Sequence, residues 1–281
     1  STLVFHITNL VLHVVSTLLV WSVLVKIGFS SRTALVSSLL FALHPLCTEP
    51  VNYVSSRSES LAAVFLLGAF RLRLQETWLA EWLALVSFAL GLLSKSIVMV
   101  FLGISMLHGV CVQSASLPRQ LRRDLKFWGV ALVYLVIIWK IGFLSSSMND
   151  PVRGLDVQVW TQVKALVKYA DLVAMPVALN VEHQFFESPD LWEGSVLASL
   201  LLLASLGIVV GLYASRESIF WLAWIPICLA PTLVIPLNVL VNEHRLYLPL
   251  VGVTVLFARM FEQIRSPVKS SCYLLVPAFF F

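Results

Sequence analysis

Ten ionisable residues in four short stretches hold the chemistry available to this sequence. The stretch HPLCTEPVNYVSSRSE, residues 44–59, carries His44, Glu49, Arg57 and Glu59 around Pro45 and Pro50. Proline removes a backbone donor and breaks a helix, so this stretch predicts an irregular turn. There Glu49, Arg57 and Glu59 can form an ion-pair network that either fixes the turn or lines a polar cavity. LLSKS at 92–96 places Lys95 between two apolar runs. It can snorkel at a helical hairpin or meet a phosphate as a compact point charge. PVALNVEHQF at 176–185 sets Glu182 beside His183, a pair suited to acid–base work or a metal, and equally to a polar loop. NEHRLYLP at 242–249 puts Glu243, His244 and Arg245 in succession. A guanidinium there can grip a phosphate with two parallel hydrogen bonds, or pair with a glutamate at a helix start.

The elements that must position these residues are membrane helices. Of 281 residues, 59% are hydrophobic and 12% charged, and mean hydropathy is +0.91. Soluble domains carry about 25% charge and 45–50% apolar residues, so a soluble enzyme, a disordered chain and a disulfide scaffold are excluded. The expected fold is all-α, a polytopic transmembrane bundle of about nine or ten segments at about 20 residues each. Candidate spans are 3–25, 34–54, 60–74, 78–93, 97–112, 127–144, 196–213, 219–236 and 246–261, with a last one from Cys272. Pro45 is expected to break the second near His44. One transmembrane domain, cut at both ends, is expected over 1–281. Within it, 145–195 forms a non-cytoplasmic loop plus an interfacial amphipathic helix, on the spacing of Val163, Leu166, Val167 and Ala170.

Twelve of the 19 Lys and Arg fall in loops on one side of this arrangement, including the run RQLRRDLK at 119–126. The positive-inside rule makes that side cytoplasmic, with the run read as a solvated loop. The ten residues above then gather at the opposite, non-cytoplasmic face. Ionisable groups in or beside apolar spans are costly and mark function. Irregular backbone at membrane depth is tolerated only against protein or a water-filled cavity.

The four cysteines, at 47, 111, 228 and 272, have no metal-ligand spacing. They read as small buried hydrophobes. His6 and His13 share one helix face, and His44, His183 and His244 leave a divalent metal open. No phosphate loop, dinucleotide fingerprint, nucleophile elbow or zinc-protease motif is present. The basic run lacks interleaved aromatics, so nucleic acid is not an expected partner.

The ordered set FHITNLVLH at 5–13, ALHPLCTEPVNYVSSRSESLAA at 42–63, GLLSKS at 91–96, PVALNVEHQF at 176–185 and NEHRLYLPLVG at 242–252 resembles the TMTC family, above all its bacterial relatives. These are membrane proteins with a tetratricopeptide-repeat tail, of the GT-C glycosyltransferase superfamily. The resemblance implies transfer of a sugar, mannose in eukaryotic members, from a polyprenyl-phosphate donor to a protein hydroxyl outside the cytoplasm. It implies Arg245 and Lys95 as donor-phosphate ligands. His44, Glu49, Arg57, Glu59, Glu182, His183, Glu243 and His244 would line the cavity. The acidic catalytic residue is expected upstream of Ser1 and the repeat tail beyond Phe281. Two positions depart from the family: Cys47 stands where His or Gln is usual, and Ser96 where Glu is usual. The expected partners are the lipid-linked sugar, an acceptor protein and the bilayer. No N-x-Ser/Thr acceptor is present, and the motif wording points to a bacterial plasma membrane, with the endoplasmic reticulum membrane as alternative. A transporter or flippase for an anionic or lipid-linked substrate, and a non-catalytic scaffold, stay open beside the enzyme.

Overall fold

A computed structural model describes residues 2–53, 56–142, 152–177, 179–236 and 238–265. Among them there is no strand, and the chain is all-α. In order the helices are α1 (Thr2–Ile27), α2 (Ser31–Leu43), α3 (Thr48–Asn52), α4 (Arg57–Arg73), α5 (Trp78–Ser94), α6 (Val100–Cys111), α7 (Leu117–Lys140), α8 (Leu155–Ala174), α9 (Gly194–Tyr213), α10 (Arg216–Val234) and α11 (Pro249–Arg265). Three-residue to four-residue 3-10 turns lie at Pro45–Cys47, Ser96–Met99 and Glu243–Leu246.

Local signals set most boundaries. The Ser30, Thr77 and Ser215 side chains accept from backbone N–H groups of the first turns of α2, α5 and α10, the usual N-cap economy. The residue before a proline is pushed from the helical region. His44, at φ −68° and ψ 131°, accordingly ends α2, and the chain bends by 57° into the segment Pro45–Asn52. Lys95, extended at φ −161° and ψ 135°, separates α5 from the turn leading to α6.

α4 packs against α1 and α5, α11 against α2 and α10, and α6 against α7 and α10. Their shared core is aromatic, with Phe70, Phe220, Trp221 and Trp224 in mutual contact and Phe88, Phe101 and Phe127 beside them. A smaller apolar cluster of Leu46, Ala165, Tyr169, Leu172, Leu229, Val241 and Leu246 lies under the polar face.

Among the described residues three helices are long and apolar enough to cross a bilayer, Leu3–Ile27, Gly194–Tyr213 and Arg216–Val234, and a fourth if the bent pair 31–52 counts as one span. This is fewer than the nine or ten segments expected. The physical reason is length and charge: α4 and α5 have 17 residues each, about 25 Å of helix against about 30 Å of hydrocarbon. α7 spends its first turns on charged residues. The expected span from Cys272 lies outside the described residues.

One further reading changes. Residues 119–126 are not a loop but the first turns of α7, with Gln120 and Asp124 buried. In α8 the inward stripe is Gln158, Thr161, Gln162, Ala165, Tyr169 and Leu172. Val163, Leu166 and Val167 are only half-buried, and Ala170 is exposed. A helix among apolar surroundings can turn its polar side inward, where partners exist.

Candidate functional site

Three helix interruptions bring charged side chains to one place. Glu49 sits in the first turn of α3, directly after the Pro45 turn. Glu59 sits in the first turn of α4, where the helix dipole favours an anion. Lys95 caps α5. His244 and Arg245 lie in the turn Glu243–Leu246, opened by the Asn242 side chain accepting from the His244 N–H at 3.1 Å. The Trp224 indole N–H donates to the Leu248 carbonyl at 2.8 Å and ties this turn to α10.

The carboxylates organise the cluster. Glu49 accepts from the backbone N–H of His244 at 3.0 Å and contacts its Nδ1 at 2.9 Å. The opposite ring nitrogen, Nε2, lies 3.4 Å from Glu59 Oε1. Glu59 is also ion-paired to Lys95 Nζ. Both glutamates are buried, and buried charges persist only when paired and hydrogen-bonded.

Arg245 is held differently. Its Nη1 donates to the Leu240 carbonyl at 2.9 Å and the Tyr169 hydroxyl at 3.4 Å, and its Nη2 to the Val239 carbonyl at 2.7 Å. A guanidinium has five N–H donors. The Nε–H and one Nη2–H are therefore uncommitted, and in a guanidinium these can lie on one edge, the bidentate edge for carboxylate or phosphate. Arg245, Lys95, His244 and Glu59 line one cavity of about 120 Å³, closed by Ile97, Cys228, Thr232 and Leu248. That volume suits a phosphate-sized group or a few waters; pockets for larger ligands start at about 300 Å³.

A second carboxylate joins a neighbouring segment. Glu243, 3% exposed, accepts from the Asn180 N–H at 2.5 Å and contacts His183 Nε2 at 2.8 Å. Residues 180 and 183 are thus tied to the turn 243–246 through one carboxylate oxygen.

Of the ten predicted residues, Glu49, Glu59, Lys95, His244 and Arg245 meet at the cavity or directly behind it. Glu243 and His183 form the adjoining pair. Three do not join. Arg57 leaves the expected network and lies over the Phe5 ring at 4.7 Å; Lys95 and His244 take its place because they reach Glu59 from inside the bundle. The His44 Nδ1 accepts from the Leu46 N–H at 3.2 Å and caps its own turn. The Glu182 side chain is exposed. Ser96, the departure from the family pattern, is exposed at the start of its 3-10 turn, and the carboxylate beside Lys95 comes from Glu59. His13 is buried between the Tyr247 hydroxyl at 2.8 Å and the Ala42 carbonyl at 3.1 Å, while His6 is exposed.

Among the described residues no three His, Cys, Asp or Glu side chains come together as a metal site. His44, His183 and His244 are each engaged elsewhere. Cys47, Cys111 and Cys228 are free thiols, with Cys47 and Cys228 buried.

The sequence reading missed Tyr169, which supports Arg245 from α8. Its signal was the inward spacing of residues 158, 162, 165, 169 and 172. The reading also missed the buried pair Arg73–Asp124 at 2.9 Å. There Ser105 Oγ donates to Asp124 at 3.0 Å and Gln120 Nε2 at 2.8 Å.

The assembled site is a cavity lined by Arg245, Lys95, His244 and Glu59 in a chain of apolar helices, and comparison with known proteins points to an enzyme class. The chain is 23% identical to Protein O-mannosyl-transferase F38B6.6 of Caenorhabditis elegans over an alignment of 305 positions, covering 98% of this chain and 42% of that protein. It is 36% identical to Protein O-mannosyl-transferase TMTC3 of Homo sapiens over 66 residues, 24% of this chain and 7% of that protein. It is 40% identical to Protein O-mannosyl-transferase TMTC1 of Homo sapiens over 67 residues, 24% of this chain and 8% of that protein. The chain thus spans less than half the length of each of these relatives. No protein-family model matches the chain, and no solved structure matches it.

Proposed function

We propose that this chain is the membrane-embedded part of a glycosyltransferase. It moves a sugar, mannose by the names of its relatives, from a polyprenyl-phosphate donor to a protein hydroxyl on the non-cytoplasmic face. The observation that carries this reading is the cavity, where Arg245, with two N–H donors uncommitted, and Lys95 line one phosphate-sized space. The similarity along 98% of the chain to a protein named O-mannosyl-transferase supports it.

In this reading the acceptor oxygen attacks the sugar's anomeric carbon, and the bond to the donor phosphate breaks with its electron pair on the phosphate oxygen. Arg245 and Lys95 offset the charge that develops there. Glu49 positions His244, and Glu243 with His183 holds the loop 176–185 against the cavity's rim. The general base is the carboxylate that the family resemblance places ahead of α1. The GT-C arrangement, about nine or ten membrane segments and a repeat tail belong to this proposal. So does the membrane: the relatives named above are animal proteins, which favours the endoplasmic reticulum over a bacterial plasma membrane.

The test is transfer of labelled mannose from a polyprenyl-phosphate donor by the full-length protein in membranes. Arg245→Ala should abolish most product at unchanged expression; undiminished transfer would overturn the reading.

A further inference from the structure

We propose that Glu59 sets the charge selectivity of the cavity, tuning it to a singly charged phosphodiester and against a doubly charged phosphomonoester. The inference rests on the donor reading above and concerns a residue that reading leaves without a task.

The argument is a charge count over every element that faces the cavity. α4 contributes Glu59, the end of α5 contributes Lys95, and the turn 243–246 contributes His244 and Arg245. Glu49 of α3 stands behind His244, and Tyr169 of α8 and Cys228 of α10 add neutral groups. Glu59 and Lys95 are directly paired, so their charges cancel towards a ligand. Glu49 holds both the backbone N–H and Nδ1 of His244. Glu49 does not line the cavity and is turned away from it by these two contacts, while the Nε2 of the same ring lies 3.4 Å from the Glu59 carboxylate. The unbalanced cation is Arg245, which also keeps two N–H donors uncommitted. One net positive charge, offered through a two-donor edge, matches the two non-bridging oxygens of a phosphodiester.

The reaction changes that charge by one. The donor is a diester with one negative charge. When the bond between anomeric carbon and phosphate oxygen breaks, the electron pair stays on that oxygen. The acceptor hydroxyl loses its proton to the base, and the phosphate leaves as a monoester carrying up to two charges. The second charge then meets a site with no further net positive charge to offer, because Glu59, buried and fixed, already offsets Lys95. In a partly desolvated site an unmatched charge is costly. Glu59 therefore discriminates by keeping the site at one net positive charge, holding the donor and releasing the spent lipid phosphate.

The experiment measures binding of decyl methyl phosphate, a diester, and decyl phosphate, a monoester, to the full-length protein at pH 8, where the monoester is a dianion. Glu59→Gln should tighten decyl phosphate about tenfold and shift the diester less than about threefold. In turnover, added polyprenyl phosphate should inhibit the variant at about tenfold lower concentration. The double variant Glu59→Gln with Lys95→Gln restores the charge count and should restore the wild-type ratio. Because it also removes the Lys95 ammonium, it separates charge from a local folding defect. An unchanged ratio in Glu59→Gln, together with loss of transfer in Arg245→Ala, would overturn the role of Glu59 and leave the donor reading standing. The same shift in the ratio of methyl phosphate to dimethyl phosphate binding, with no gain from the decyl tail, would support Glu59 and overturn the lipid donor.

Discussion

Two buried polar clusters sit at opposite ends of α4, and they solve the same problem in opposite ways. At its C-terminal end Arg73 pairs with Asp124, and Ser105 and Gln120 donate to both carboxylate oxygens. The space left there is about 10 Å³, too little for more than one water. At its N-terminal end Glu59 is shared between Lys95 and His244, yet Arg245 keeps open donors and the cavity is about 120 Å³. A carboxylate surrounded by its own donors is finished, and serves to lock α4, α6 and α7 together. A cationic edge facing empty space is unfinished, and a ligand can complete it. Burial of charge is common to both, and so is unspent hydrogen-bonding capacity, since Arg73 Nε and Gln120 Oε1 have no partner; open space beside the cation separates a site from a lock.

Substitutions can break or sharpen that contrast. Asp124→Asn leaves Arg73 buried without a counter-charge and should destabilise the fold by about 3–5 kcal/mol, read as a fall in thermal midpoint in detergent, while surviving molecules transfer sugar normally. Arg245→Ala should do the reverse. Transfer should fall by about 100-fold or more, with a smaller stability loss from the freed carbonyls of Val239 and Leu240. Gly109→Ala tests the tightness of the locked end. Its Cβ would fall 2.3 Å from Gln120 Oε1, forcing that side chain off Asp124 at about 1–3 kcal/mol, again seen in the thermal midpoint and not in donor affinity.

A fourth expectation concerns acid. The Glu193 carboxyl is held down at about 2 by the hydrogen bonds of Ser195 and then of Lys164. A group with a depressed value stabilises the fold above its ordinary 4.5 and loses that contribution as pH falls towards 2. Hydrogen-exchange protection of the α9 N-terminus should hold from pH 7 to about 5 and decline below about 4. Arg57→Ala should have the smallest effect, about 0.5–1 kcal/mol from its stacking on Phe5, with transfer unchanged; a large loss of transfer would return Arg57 to the site.

The helix break at Pro45, the all-helical class and the charged stretches were legible because proline chemistry and apolar length are local properties. Which charges meet was not. Arg57 and Lys95 are equivalent in sequence as partners for Glu59, and only the direction in which α4 starts decides that Lys95 faces inward. Asp124 hid inside a basic run, since a stripe of Gln120, Asp124, Phe127 and Ala131 is outvoted by its charged neighbours on any windowed hydropathy. The amphipathic spacing in α8 was legible, but not which of its faces packs inward, since beside lipid the polar stripe can do so. Three or four described helices pass on both length and composition, because the 17-residue apolar runs α4 and α5 satisfy composition before they satisfy length.

The two ion pairs share one helix. Glu59 and Arg73 are fourteen residues apart on α4, about 21 Å at 1.5 Å per residue, and each is anchored to a different neighbour. α4 is therefore a beam clamped at both ends: it cannot slide along its axis without breaking a buried charge pair. Any change in the size of the cavity must therefore come from the elements that face α4, while α4 itself stays still as a strut.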